Sequence, residues 1–142
     1  MTLDTKAATW LARKPAFLWL PRLMLAAMFV ESGVDKLLHW QAYVTEAAAH
    51  GIPLASLSLS LAAIVEIIGS AALISGVFVT PALLALALYS LTVSFFYFDF
   101  WNMVEPASIM ARKAFLKNLA VAGGLLSWWA LTLGNRHSEI RA

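Results

Sequence analysis

The sequence predicts an all-α membrane protein: a four-transmembrane-helix bundle with both termini cytoplasmic, forming a single transmembrane domain over residues 1–142. Three observations predict it. The chain is 61% hydrophobic and 13% charged, whereas soluble domains average roughly 45–50% and about 25%. Its apolar residues gather into four stretches, each near the roughly 20 residues with which a helix crosses about 30 Å of hydrocarbon. Most lysines and arginines fall near the edges of those stretches, where they act as orientation signals. The formal charge of +2 is too small to suggest nucleic acid as a partner. The partner expected of such a surface is a lipid bilayer, crossed several times.

The segments are read at about 16–38, 54–79, 81–98 and 114–133. Helices are the expected form because a helix satisfies its backbone groups internally in lipid. Lys6, Arg13 and Lys14 before the first segment imitate a secretory leader. The apolar run then continues to Leu38 without a small-x-small cleavage site, which favours a spanning helix. The second and third segments are joined only by Gly76-Val77-Phe78-Val79-Thr80-Pro81, a helix stop followed by a proline suited to a helix start. Such a connection demands an antiparallel hairpin. Residues 39–53, ending in Gly51-Ile52-Pro53, and residues 99–113 are expected as longer loops.

Orientation follows from the basic residues. With both termini inside, the cytoplasmic side carries Lys6, Arg13, Lys14, Arg22, Arg136 and Arg141, and the outer side Lys36, Arg112, Lys113 and Lys117. Tryptophans suit two interfaces, with Trp19, Trp128 and Trp129 toward one side and Trp40 and Trp101 toward the other.

Polar residues within or beside the spans are the candidate site. Glu66 is the sole charge between Ile52 and Val79, and an ionised carboxylate at mid-bilayer costs roughly 2.5–3.5 kcal/mol on insertion scales. It is therefore expected to face the bundle interior, near Lys36 or Lys117. Arg22, Ala26, Phe29, Gly33 and Lys36 fall on one stripe of the first helix, with Glu31 off it. Gly33, Gly69 and the Gly123-Gly124 pair are expected at helix–helix contacts, where small residues allow close approach. Asp99 closes the aromatic end of the third segment, and Lys117 and Asn118 open the apolar part of the fourth. Together Glu66, Lys36, Lys117, Asn118 and Asp99 are the ligand-binding or proton-relay candidates. Each also has a structural explanation: interfacial snorkelling for Lys36 and His39, and a hydrogen-bonded lock between helices for Glu66.

The chain has no cysteine, which removes thiol chemistry and thiolate metal or iron–sulfur sites. No metal site is expected, and His39, His50 and His137 lie outside the apolar segments, which disfavours haem. No cofactor motif is present, so a redox role would draw on a bound molecule or a partner.

Four pieces of sequence resemble the DoxX family of small bacterial membrane proteins. They are Pro21-Arg22-Leu23 leading to Phe29-Val30-Glu31-Ser32-Gly33-Val34-Asp35-Lys36-Leu37; the Gly51-Ile52-Pro53 turn; Glu66-Ile67-Ile68-Gly69 continuing to Leu73-Ile74-Ser75-Gly76; and Phe115-Leu116-Lys117-Asn118-Leu119 with Gly123-Gly124. Phe98-Asp99-Phe100-Trp101 is similar to the family's aromatic segment, and the set spans about residues 22 to 133. The resemblance implies a four-helix inner-membrane fold. It also implies a link to redox systems, since one relative is associated with thiosulfate:quinone oxidoreductase and another with a thiol-oxidation resistance complex. Two function classes follow. The first is a membrane subunit of a redox system, with a quinone among Lys36, Glu66 and Lys117 and a soluble or membrane redox enzyme as partner. The second is a non-catalytic scaffold or assembly factor whose polar network holds the helices. A small proton-coupled transporter stands behind both, because four helices without an inverted repeat do not suit that role.

Overall fold

The computed structural model describes residues 15–140, with side chains described from 19 to 133. The basic residues Lys6, Arg13, Lys14 and Arg141 lie outside these bounds. Five α-helices make up the described chain: α1 (Pro15–Leu38), α2 (Trp40–Ala49), α3 (Ala55–Ser75), α4 (Val79–Tyr97) and α5 (Ala107–Ile140). A single 3₁₀ turn, Phe100–Asn102, follows α4, and no strand occurs among the described residues.

Among the described residues, three stretches are long and apolar enough to cross a membrane: Ala55–Ser75, Val79–Asn102 and Ala107–Leu133. The 21 residues of α3 span about 31 Å at 1.5 Å per residue. The 24-residue α1 has the length, but Arg22, Glu31, Asp35 and Lys36 dilute its apolar character. The segment bounds also shift. The second ends at Ser75 rather than near 79, because Gly76 takes a left-handed φ of 78°, which glycine adopts without a Cβ penalty. The third begins at Val79, so Pro81 sits in the first turn, where its missing N–H is not needed. The fourth begins seven residues early, at Ala107 rather than 114.

One expected loop is a helix. Residues 40–49 form α2, which ends where the Gly51 and Ile52 amides return to the Ala48 and Ala47 carbonyls, both at 3.0 Å. Gly51 has a φ of 72° there.

The long helices pack in the order α1 on α3, α3 on α4 and α4 on α5, with α2 lying on α3. Their common core is Ala26 and Phe29 from α1, Leu73 from α3, Leu83, Leu86 and Ala87 from α4, and Leu125 from α5. Opposite this core, Met24, Leu61, Ile68, Leu88 and Leu131 are more than half exposed. So continuous an apolar exterior is unsuited to water and natural to lipid. At the end of the bundle far from Lys36, the Arg22 guanidinium lies 5.1 Å from the Trp19 ring and 5.5 Å from the Trp128 ring. These cation–π contacts tie α1 to α5.

Two of the expected glycine contacts exist and one does not. A Cβ on Gly33 would stand 2.9 Å from Ile67 Cγ1, and one on Gly69 would stand 2.8 Å from Leu86 Cγ. Gly123 and Gly124 instead face open space with nothing within 4 Å, and both are exposed. α5 meets its neighbours through Ala122 and Leu125, one step to either side of the glycine pair.

Candidate functional site

The two close approaches at glycine build the site. At Gly33, α3 comes near enough that an added Cβ would lie 3.3 Å from Glu66 Cβ. Lys36 is one turn further along α1, on the same face, and this brings its ammonium onto the carboxylate. Nζ lies 3.0 Å from Glu66 Oε2 and donates to Oε1 at 3.1 Å. At Gly69, Leu86 of α4 fills the space a side chain would occupy. Tyr89, three residues beyond Leu86, consequently faces the same region as Glu66, three residues before Gly69.

The pair is enclosed by protein. The Glu66 side chain is 2% exposed and that of Lys36 12%. Lys36 also donates to Ser32 Oγ at 2.6 Å, and its Nζ stands 5.5 Å from the Tyr43 ring centroid. Both carboxylate oxygens of Glu66 thus lie within about 3.1 Å of the ammonium.

A cavity of about 300 Å³ adjoins the pair. Lys36, Glu66, Lys117 and Asn118 line it, so the fold brings together four of the five sequence candidates. Lys117 has no carboxylate within ion-pair distance among the described residues, so a network of two cations and two carboxylates does not form. Asp99 stands apart from the cavity lining: its carboxylate accepts from Asn102 Nδ2 at 3.2 Å within the 3₁₀ turn. The reason is local. α4 ends at Tyr97, and the chain turns away before Asp99 can face inward.

Residues not anticipated as site members contribute most of the remaining polar lining: Ser32, Tyr43, Glu46, Tyr89 and Tyr97. Ser32 was recognisable as the residue one turn before Lys36. Tyr89 and Tyr97 share a helix face at eight-residue spacing, a signal present in the sequence but overshadowed by the aromatic run beside it. Tyr43 and Glu46 belong to α2, whose helical form had no sequence signal strong enough to place them.

At the Lys36 end of the bundle, α2 attaches to α1 through Asp35. The Tyr43 hydroxyl donates to Asp35 Oδ2, and His39 Nδ1 lies 2.8 Å from Asp35 Oδ1. The Asp35 carboxylate, helped by burial, pushes the Tyr43 phenol up to about 12. Tyr43 thus stays a hydrogen-bond donor at the rim of the cavity.

This all-helical arrangement around a buried lysine–glutamate pair defines a small membrane protein with an internal polar site. The chain belongs to the DoxX family, whose model matches residues 17–99. That span takes in α1, α3, α4 and the residues forming the Lys36–Glu66 pair, while Lys117 and Asn118 lie beyond it. A curated relative, named inner membrane protein YphA, from Escherichia coli (strain K12), is 24% identical over 115 residues, covering 81% of this chain and 82% of the relative. No solved structure matches this chain.

Proposed function

We propose that this protein crosses the bacterial inner membrane four times, with both termini cytoplasmic, as a membrane subunit or partner of a quinone-linked redox system. The observation that carries the reading is the buried Lys36–Glu66 pair beside a cavity of about 300 Å³. That volume is at the small end of the ligand-pocket range of about 300–1,000 Å³ and suits a single ring. For the fourth crossing, α1 has the length and packs along α3. Its Arg22 is held by indole rings and its Lys36 by Glu66, so two of its charges are compensated within the bundle. The relative's printed name supports the inner membrane.

A bound quinone supplies two-electron, two-proton chemistry, with electrons delivered by a partner enzyme. This chain's residues would position the head and handle protons. Lys36 Nζ and the Asn118 amide would donate to a ring oxygen, while the Glu66 carboxylate would accept from a hydroxyl. Tyr89, which lines the same cavity, would pack against the ring.

The same pair also joins α1 to α3, which favours a structural lock and a scaffold role as the second reading. One experiment separates them: mass spectrometry of lipid-soluble molecules and proteins that copurify with the detergent-extracted chain. Quinone enriched over bulk membrane extract, and lost in Lys36→Met, supports the redox reading. A stable partner protein with no quinone enrichment refutes it in favour of the scaffold. Reporter fusions at both termini should read cytoplasmic, and opposite readings would overturn the four-span topology.

A further inference from the structure

A second, apolar cavity of about 570 Å³ lies against the polar one, between α3 and α4. The two share Lys36, Tyr89, Val93 and Tyr97 in their linings. Small side chains leave the space: Ser58 and Ala62 on α3, Ala85 on α4. On α4 the lining runs from Ala85 to Tyr97, a length of about 18 Å. At its flanks Leu61, Leu88 and Phe96 are about half exposed, at 55%, 54% and 48%. The groove therefore opens sideways, on the surface that meets lipid.

We infer that the site takes a single-chain amphiphile, with an oxygen-bearing head in the polar cavity and a hydrocarbon chain leaving sideways between α3 and α4. This rests on the reading above that the polar cavity holds a head group. The four shared lining residues, Lys36, Tyr89, Val93 and Tyr97, set the two spaces side by side, so head and chain would join past these side chains. A single chain is specified because one apolar groove is seen to border the polar cavity among the described residues; an apolar pocket of about 310 Å³ around Leu37, Trp40 and Ile67 shares no lining residue with it. The groove acts chiefly by giving passage. A chain in the bilayer is already in apolar surroundings, so burying it in the groove gains packing rather than hydrophobic transfer.

The test uses the full chain in detergent and two probes with the same dimethoxy-methyl-benzoquinone head, one carrying a decyl chain and one carrying none. Ala62→Trp and Ala85→Trp fill the groove without replacing any residue of the polar cavity lining. Both probes should bind the wild type. Each tryptophan variant should weaken the decyl probe by about tenfold or more, the scale set by overpacking with a large side chain. Affinity for the tailless probe should stay within about twofold, which also reports that the variants are folded. As a second measurement, a decyl probe with a photoreactive chain end should label α3 and α4 around Leu61 and Leu88 in the wild type. Undiminished decyl binding in the variants, equal losses for both probes, or labelling elsewhere would overturn the inference. Tailless binding without decyl binding to the wild type would overturn it while sparing the head site. Failure of both probes on the wild type would remove the head site and this inference with it.

Discussion

Replacing Lys36 by methionine takes the cationic partner from a carboxylate whose side chain is 2% exposed. Removing one member of a buried pair costs about 3–5 kcal/mol, since the other charge is left uncompensated. Glu66→Leu should cost less. Lys36 retains its 2.6 Å hydrogen bond to Ser32 Oγ, and its flexible stem lets the ammonium shift toward the C-terminal end of α1. The double variant Lys36→Met/Glu66→Leu strands neither charge, and substituting a buried pair with apolar groups is often neutral or stabilising by about 1–4 kcal/mol. The expected order of stability is therefore double variant at or above wild type, then Glu66→Leu, then Lys36→Met. Denaturant titration of the four proteins in one detergent, followed by tryptophan fluorescence, measures it. A double variant that loses the sum of the two single losses would refute the reasoning, because the side chains would then be acting independently. Function separates from stability in the same series: if the pair serves a redox system, the double variant is well folded and retains no bound quinone.

Two further outcomes follow from the geometry. Gly69→Leu, which drives a side chain into Leu86, should lower the melting temperature well beyond Gly124→Leu, which enters open space; equal melting temperatures would contradict the packing described. The Tyr43 phenol is pushed up to about 12 by its hydrogen bond to Asp35, above the unfolded value near 10. Since the folded value is the higher one, the stabilisation is complete below about pH 10 and is lost as pH rises through about 12. Thermal unfolding between pH 9 and 12 should show a smaller loss in Tyr43→Phe than in the wild type; identical profiles would remove Asp35–Tyr43 from the account.

Much of this molecule was legible in sequence because lipid imposes strong local rules. Apolar runs of spanning length had to become helices. A lone carboxylate at Glu66 had to turn away from lipid, and Gly33 and Gly69 had the spacing of contact residues. What the sequence alone determined is therefore the helical class, the α3–α4 hairpin and the inward face of Glu66. The tertiary structure decided which cation meets Glu66. Lys36 and Lys117 were equivalent by depth, but the approach at Gly33 carries Lys36 into contact, while Lys117 reaches only the cavity lining. It also decided that Gly123 and Gly124 look outward, since small residues permit contact without specifying which helix arrives. Finally, it turned residues 40–49 into α2 and set Tyr43 and Glu46 at the cavity. A short helix without a capping side chain draws its stability from what it packs against, and that neighbour, α3, is supplied only by the folded chain.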